Sequence, residues 1–173
     1  MSSPHPSTAS GTGSTPPLAP RPGRRAGAAM PVIRPAQRED YAAVISLLDA
    51  AHLPHADLTP EHLDEFLLSE RGRGLDGVVG LEGQGEARLL RSLAVSERAQ
   101  GHGLGHRLLE AAEAQARSRG AQRLWLLTTT AEAFFARAGY VRAERETAPK
   151  ALRLLTEFSS VCPSTAACMT KAL

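Results

Sequence analysis

Apolar residues that recur every three or four positions predict several helices along the chain. These helices lie around residues 39–51, 59–67, 104–119, 134–138 and 151–158. The second would begin at Thr59 and Pro60, an N-cap residue followed by a first-turn proline. It would bury Leu63, Phe66 and Leu67 along one stripe.

Shorter apolar runs bounded by Gly or Pro predict strands between these helices. The runs lie at residues 32–34, 77–81, 87–95, 123–129, 140–141 and 167–173. Residues 124–127 are apolar on both faces of such a strand, which is typical of a central position in a sheet. Helices interleaved with strands predict a single domain of the α/β or α+β class over residues 30–173.

Residues 1–29 differ in kind from the remainder of the chain. They are rich in Ser, Pro, Gly, Thr and Arg and contain almost no apolar side chains to bury. Ordering such a segment would lose conformational entropy without a compensating gain. We therefore expect either a disordered N-terminal extension or translation that begins at Met30.

Composition excludes several classes of function. The net charge of the 173 residues is +2, too small to indicate a nucleic-acid partner. No apolar run approaches the roughly 20 residues of a membrane-spanning helix, so we expect no membrane association. Cys162 and Cys168 are the two cysteines, and so few cysteines indicate a reduced, cytoplasmic protein without a disulfide framework.

The most informative stretch is Gln100-Gly101-His102-Gly103-Leu104-Gly105, which lies between a predicted strand and the longest predicted helix. A turn of this kind presents backbone N–H groups at a helix N-terminus, where the helix dipole favours a phosphate or pyrophosphate. Glycines suit the turn because a Cβ would hold the phosphate away, and some positions need a positive φ. The stretch therefore predicts a phosphate-binding loop.

Two common phosphate-binding motifs do not fit this stretch. A P-loop needs Gly-Lys followed by Ser or Thr, whereas Gly105 is followed by His106 and Arg107. A dinucleotide fingerprint needs Gly-x-Gly-x-x-Gly, whereas the spacing here is Gly101-x-Gly103-x-Gly105. An ordinary glycine-rich turn remains as the alternative to a binding site.

The stretch does resemble the pyrophosphate loop of the GCN5-related N-acetyltransferase (GNAT) superfamily, Gln/Arg-x-x-Gly-x-Gly/Ala. Gln100, Gly103 and Gly105 occupy its fixed positions. The superfamily's motif of an aromatic residue, three others, Gly and a second aromatic is matched by Phe135, Gly139 and Tyr140. The resemblance extends over residues 31–173.

This resemblance implies a GNAT-like acyl-CoA N-acyltransferase fold, a mixed central sheet flanked by helices. It implies acetyl-CoA as co-substrate, no metal and a small-molecule amine as acceptor, and homodimers are common in the superfamily. The strand before the loop would be splayed from its neighbour and would hold the pantetheine arm. The implied cofactor-binding residues are Leu93, Ala94, Val95, Gln100, Gly101, His102, Gly103, Leu104, Gly105 and His106.

The implied reaction is attack of a neutral amine on the thioester carbonyl, with a backbone N–H of the splayed strand facing the oxyanion. The chain departs from the superfamily at both acid–base positions. Phe135 stands where many relatives have a tyrosine acid, and Leu90 stands where some have a glutamate base. The catalytic residues are therefore open, with Glu82 and Thr129 as candidates.

Candidate substrate-binding residues lie on two of the predicted strands. Arg91 would bind an anionic group of the substrate or be a sheet-edge arginine. Thr128 and Thr129 end the predicted central strand, where ligands often bind in open α/β sheets. One threonine would contact substrate while a neighbour caps the following helix.

The C-terminal segment supports a narrower resemblance. Residues 157–169, together with residues 89–95 and 126–131, look like the acetyltransferases encoded in arsenic-resistance operons. That resemblance implies acetylation of an amine-bearing arsenical. Because trivalent arsenic prefers thiolates, Cys162 and Cys168 are candidate arsenic ligands, with a purely structural role as the alternative.

Three functions follow from these observations. The first is an acetyl-CoA-dependent N-acetyltransferase, an enzyme that acts on a small-molecule amine in arsenic resistance. The second is a non-catalytic acyl-CoA-binding sensor, which the departures at Phe135 and Leu90 favour. The third is a protein that binds arsenic through its thiols.

Overall fold

The structure, a computed structural model, describes residues 31–72 and 74–173, so the expectations about residues 1–29 and Met30 lie outside the described residues. Within that part, seven strands form one sheet: β1 Val32–Pro35, β2 Phe66–Glu70, β3 Leu75–Glu82, β4 Ala87–Val95, β5 Arg123–Thr128, β6 Val141–Arg142 and β7 Ala167–Ala172. The α-helices are α1 Tyr41–Ala50, α2 Leu104–Ser118, α3 Glu132–Arg137 and α4 Lys150–Arg153. Short 3-10 turns occur at Arg38–Asp40, Pro60–Glu65, Glu97–Ala99 and Arg145–Thr147, and a π-helical turn at Glu157–Val161.

The strand order is β1-β2-β3-β4-β5-β7-β6. Neighbouring strands are antiparallel except β4 and β5, which are parallel. The parallel pair needs a crossover, which α2 provides between them. The mixed sheet flanked by helices confirms the predicted fold class.

Alternating side chains place helices on both faces of the sheet. Leu67, Val79 and Leu81 share a core cluster with the buried residues of α2. Phe66 and Val78, one position away, share a second cluster with α1. The two apolar faces explain why the sheet is central to the molecule.

One predicted helix is wrong. The Thr59-Pro60 start is present, but it opens a 3-10 helix that ends at Glu65, and the next residues form β2. Phe66 and Leu67 are both buried on opposite faces of this strand, which pairs with β1 and β3. Sheet pairing on both edges therefore overrides the apolar spacing that indicated a helix.

The helix predicted over residues 151–158 is also shorter than expected. It divides into α4 and the π-helical turn Glu157–Val161, and Leu154 between them is 71% exposed. Leu152 and Phe158 provide the buried contacts instead, in a third core cluster with Trp125. The apolar spacing was present, but only part of it packs against the sheet.

Candidate functional site

The parallel strands β4 and β5 pair over only three positions. The paired residues run from Ala87 opposite Arg123 to Leu89 opposite Trp125, whereas β4 continues to Val95. Beyond Leu89 the two strands diverge, so the backbone of β4 on that side lacks a neighbouring strand. The predicted splay at residues 93–95 is therefore present.

A bulge in β4 accompanies the divergence. Ser92 and Leu93 together face Val79 of β3, because the register shifts between Val78 and Gly80. Ser92 has a φ of 56°, in the left-handed region that residues with a Cβ rarely adopt. Bulges of this kind commonly stand beside functional sites and re-aim the residues that follow.

A cavity of about 580 Å³ opens where β4 and β5 separate. Five segments line it: the segment after α1, the end of β4, the glycine stretch, the end of β5 with α3, and the C-terminal segment around the π-helical turn. Its lining includes Leu93, Ala94, Val95, Gln100, Gly105, Thr128, Thr129, Phe134, Phe135, Glu157 and Cys162. The cavity is thus continuous from the glycine stretch to the C-terminal segment.

The glycine stretch has the backbone that its sequence indicated. Gly101 and Gly103 have φ of 77° and 76°, and a Cβ at either position would meet no atom within 4 Å. Gly103 is the N-cap of α2, whose first N–H groups have no acceptor within the helix. The Gln100 side chain donates from Nε2 to the Val95 carbonyl at 3.0 Å and so joins the loop to the diverging strand.

The predicted cofactor residues fall into two groups in the structure. Five of them, on β4 and the loop, line the cavity: Leu93, Ala94, Val95, Gln100 and Gly105. The others, Gly101, His102, Gly103, Leu104 and His106, stand on the loop and the first turn of α2. Among these, the Leu104 side chain is buried in the core, so only its backbone is available to a ligand.

The two loop histidines have different surroundings. His106 packs on Phe134 with 4.6 Å between ring centroids. His102 Nδ1 lies 2.8 Å from the Gln100 carbonyl oxygen and is exposed. Contacts of either ring with a cofactor stay a prediction.

Arg91 lies at the centre of a buried charge cluster. Its Nη1 and Nη2 donate to Asp57 at 2.7 and 2.8 Å, and Nη1 also donates to Glu82 at 2.5 Å. Glu157 Oε2 lies 2.5 Å from Nε. Burial lowers the pKa of Arg91, but its carboxylate partners raise it, and the pKa lies above its ordinary value.

Arg91 therefore has a different environment from the one expected of a substrate-binding residue. Its side chain is 0% exposed, and it does not line the cavity. Glu82, the carboxylate proposed as a base, lies in a separate cleft with His62 and Arg88. Both residues belong to the protein's internal charge network, and neither faces the space beside β4.

Glu157 is the site residue that sequence analysis missed. It lines the cavity although it is buried, and its Oε1 accepts a hydrogen bond from Cys162 Sγ at 3.7 Å. Its Oε2 is within ion-pair distance of Arg91 but receives no hydrogen bond. Burial raises the pKa of Glu157 to about 7, although Arg91 lowers it. The signal that could have found it is a carboxylate in the middle of an otherwise apolar or hydroxyl-bearing segment, residues 154–162.

Of the threonines at the end of β5, Thr128 takes the capping role that was expected, and substrate contact stays a prediction. Thr128 and Thr129 both line the cavity. The Thr128 hydroxyl oxygen accepts the Ala131 N–H at 3.0 Å, which holds the turn into α3. Thr129 and Thr130 are exposed and line the cavity, so both are accessible to a ligand there.

No tyrosine hydroxyl replaces the one absent at Phe135 in the described residues. Phe135 is buried and packs edge-on against Tyr140, with ring centroids 5.6 Å apart. Tyr140 donates to Glu113 at 3.2 Å, and Tyr41 donates to the Leu58 carbonyl at 2.9 Å. Neither tyrosine lines the cavity, so a leaving thiolate there would have no phenolic acid.

Glu113 of α2 pairs more closely with a strand residue than with its helix neighbour Arg117. The carboxylate is buried at 5% exposure, and Lys171 of β7 donates to both of its oxygens at 2.8 and 3.0 Å. Arg117 lies further away, at 3.6 Å. A partner on a distant strand therefore determines the position of this side chain.

The two cysteines have separate surroundings. Cys162 lines the cavity, while Cys168 is buried in the core cluster with Leu89 and Trp125. Burial raises the pKa of Cys162 to about 12 and that of Cys168 to about 11. Arsenic binding by these two thiols stays a prediction.

The described part of the chain shows no cluster of three or more His, Cys, Asp or Glu residues arranged to hold a metal ion. Across residues 31–72 and 74–173, no helix combines the length and apolar character needed to traverse a bilayer.

Residues 62–142 match the family model for the acetyltransferase (GNAT) domain. This span contains β2 to β5, the glycine stretch, α2 and α3, which provide most of the residues that line the cavity. The match covers 81 of the 173 residues. The mixed seven-stranded sheet flanked by helices is the GNAT fold.

Proteins similar to this chain include an amino-acid acetyltransferase of Ralstonia nicotianae, 42% identical over 74 residues that cover 43% of this chain and 16% of the relative. N-acetylglutamate synthase from Neisseria gonorrhoeae, solved with coenzyme A and L-arginine, has a TM-score of 0.71 at 26% identity. That match covers 83% of this chain and 33% of the synthase. This chain therefore spans a minor part of these two proteins.

A Mycobacterium tuberculosis protein, Rv2747, solved with CoA and NLQ, is similar over nearly its whole length. Its TM-score is 0.69 at 24% identity, and the match covers 83% of this chain and 99% of that one. At this identity the likeness supports the fold alone. The narrower resemblance to arsenic-resistance acetyltransferases stays a prediction from the sequence.

Proposed function

We propose that this protein is an acyltransferase that moves an acetyl group from acetyl-CoA to a small-molecule amine. The observation that carries the proposal is the continuity of one cavity with the splayed end of β4 and the glycine loop at the start of α2. The GNAT domain match and the CoA bound to the similar synthase support it.

In this proposal the loop N–H groups of Gly101 to Gly105 bind the pyrophosphate of CoA, because the α2 dipole is positive at this end. The unpaired backbone of Leu93 to Val95 holds the pantetheine arm. A backbone N–H of the same segment faces the oxyanion that forms at the thioester carbonyl. Thr129 contacts the acceptor.

For the acceptor, amino acids come first, because the Ralstonia relative is an amino-acid acetyltransferase and the Neisseria synthase makes an N-acetylated amino acid by name. An amine-bearing arsenical comes second, on the sequence resemblance of residues 157–169. A screen containing both classes distinguishes a general amino-acid acetyltransferase from one devoted to arsenic resistance. We also retain as proposals a cytoplasmic location, tested by cell fractionation, and a homodimer, tested by light scattering.

Calorimetric titration with acetyl-CoA tests the cofactor site. We expect the wild-type protein to bind and Gly103→Glu to lose binding, because a carboxylate would enter the phosphate position and a Cβ would strain a φ of 76°. Gly85→Glu is the matched control, since Gly85 also has a positive φ, 84°, and open space around it. Gly85 lies in the turn between β3 and β4 and does not line the cavity.

Failure of the wild-type protein to bind acetyl-CoA would reject the proposal. Equal loss in the Gly103→Glu and Gly85→Glu variants would instead indicate a general folding defect, which circular dichroism would reveal. Binding without turnover of any amine in the screen would favour the second candidate, an acyl-CoA sensor. Phe135 is the observation that favours the sensor, because it cannot protonate a leaving thiolate.

A further inference from the structure

We propose that Glu157 is the general base of the reaction, taking a proton from the ammonium group of the acceptor within the cavity. This inference rests on the proposed function and adds a catalytic residue to it. It replaces Glu82, whose carboxylate lies in a different cleft. The case rests on position, on hydrogen bonding and on the charge balance of the buried cluster.

Position distinguishes Glu157 from the other carboxylates around Arg91. Asp57, Glu82 and Glu157 all lie within ion-pair distance of its guanidinium. Of the three, Glu157 alone lines the cavity that also contains Ala94 and Gly105 of the cofactor segment. A proton on an acceptor bound in that cavity can therefore reach Glu157 without crossing the sheet.

Glu157 accepts fewer hydrogen bonds from Arg91 than Asp57 and Glu82 do, although its Oε2 lies 2.5 Å from Arg91 Nε. Asp57 accepts two hydrogen bonds from Arg91, and Glu82 accepts one. Glu157 Oε2 accepts none, and Oε1 receives only the weak Cys162 donor. Burial of a carboxylate with few hydrogen-bond donors favours its protonated form.

Charge balance points the same way. One guanidinium faces three carboxylates, so full ionisation would leave an excess of two negative charges in a buried region. Three further titratable or charged groups lie near this cluster. Cys162 contacts Glu157, Arg145 lies over the ring of the neighbouring Phe158, and His62 lies 3.9 Å from Glu82. Burial then raises the pKa of Glu157 to about 7, where a base exchanges protons most effectively at neutral pH.

The proposed step balances as follows. Glu157 Oε1 takes one proton from the acceptor ammonium, because Oε2 is buried against Arg91. The neutral amine attacks the thioester carbonyl and forms the C–N bond, and collapse of the adduct breaks the C–S bond with its electron pair on sulfur. The thiolate takes the second proton from nitrogen, and Glu157 later releases its proton to solvent.

The pH dependence of kcat/KM tests the role of Glu157. We expect kcat/KM of the wild-type protein to rise with pH and to level off at a break near pH 7. The Glu157→Gln variant should lack this break, and its rate at pH 8 should be lower by about 10²- to 10³-fold. The remaining rate of the variant should depend on pH only through the fraction of the acceptor amine that is unprotonated. Glu82→Gln should keep a break, shifted below that of the wild type because one negative charge of the cluster is removed. Glu65→Gln, which removes an ion pair with Arg88, should keep both break and rate. A break that survives in Glu157→Gln and disappears in Glu82→Gln would overturn the proposal.

A titration that needs no acceptor separates this inference from the proposed function. Carbon-13 labelling of glutamate carboxyls, compared between wild type and Glu157→Gln, identifies the Glu157 signal. A signal that titrates near pH 7 supports the proposal, and one that titrates below pH 5 overturns it even if the protein acetylates amines. Binding of acetyl-CoA by Glu157→Gln, measured alongside, shows that the cofactor site is intact. Absence of acetyl-CoA binding in the wild-type protein would reject the proposed function instead.

Discussion

At the scale of single residues, Glu157 connects the site to the stability of the fold. Burial raises its pKa from an ordinary value of 4.5 to about 7. Between these two values the unfolded chain releases a proton that the folded chain retains. The contribution of Glu157 to the free energy of unfolding therefore decreases as pH rises from about 4.5 to 7, and is lowest above pH 7.

Glu157→Gln should remove this pH dependence. We expect the loss of unfolding free energy between pH 5 and pH 8 to be smaller in the variant by about 3 kcal/mol, the value of the pKa shift. Urea unfolding of both proteins at the two pH values measures the difference. The pKa of Asp57 is lowered, so its contribution to the free energy of unfolding increases with pH, in a lower pH range. Asp57 is present in both proteins, so the comparison between them isolates Glu157. An identical pH dependence in the two proteins would show that Glu157 titrates normally.

Ser92 offers a second test at this scale, because its φ of 56° shapes the bulge before the cofactor segment. Ser92→Val should destabilise the protein by about 2 kcal/mol, since a β-branched residue is strained in the left-handed region. It should also weaken acetyl-CoA binding by displacing Leu93 to Val95. Ser92→Gly loses the same hydroxyl without the strain and should retain both properties. Equal effects of the two changes in urea unfolding and calorimetry would assign the role to the hydroxyl.

At the scale of elements, β2 shows the limit of apolar periodicity. Leu63, Phe66 and Leu67 have the spacing of a helix stripe, yet the last two alternate between the faces of the sheet. The reason is Gly80, which lies opposite Phe66 on β3. The Phe66 ring covers the space that a Cβ of Gly80 would occupy, with ring atoms 2.2 Å from that position. A pairing between distant strands thus determined the element.

Gly80→Ala should therefore cost about 1–3 kcal/mol of stability through overpacking against the Phe66 ring. In a Phe66→Leu background the same change should cost clearly less, because the ring that obstructs it is absent. A double-mutant cycle by urea unfolding measures this coupling. Additive effects of the two changes would mean that the backbone of β3, not the ring, excludes a side chain at Gly80.

The elements that sequence analysis predicted well are those whose signal is local. The glycine stretch, α2 and β4 combine a continuous apolar pattern with clear boundary residues, and β4 was predicted with its observed bounds. The surroundings of Glu113 and Glu157 could not be predicted, because their partners Lys171 and Arg91 are distant in sequence. A local pattern carries no information on such partners.

At the scale of the whole molecule, the sheet consists of two parts with a narrow connection. Strands β1 to β4 form one part and β5, β7 and β6 the other, and only three residue pairs join β4 to β5. The cavity lies along the unpaired length, with lining residues from both parts. A ligand bound there would contact both sides of the divergence.

Acetyl-CoA should therefore stabilise both parts together. At 100 times its dissociation constant it should raise the free energy of unfolding by about 2.7 kcal/mol through mass action. Hydrogen exchange should slow at residues 93–95 and also at residues 126–130 across the cavity. Gly103→Glu serves as the control, with no slowing in either segment. Protection limited to one segment would indicate that the ligand does not bridge the divergence.

The sequence by itself determined the fold class, the glycine loop and the helix that follows it, because these depend on spacing and conformational preference along a few neighbouring residues. The splay of β4 was implied only by the resemblance to the GNAT superfamily. Only the tertiary structure decided that β2 is a strand, that Arg91 is internal and that Glu157 lies in the cavity. Arg91 and Asp57 are 34 positions apart, and their contact exists only once the sheet has brought them together. Burial then decides which carboxylate of the cluster holds a proton, since that depends on the donors and the solvent that the fold leaves to each of them.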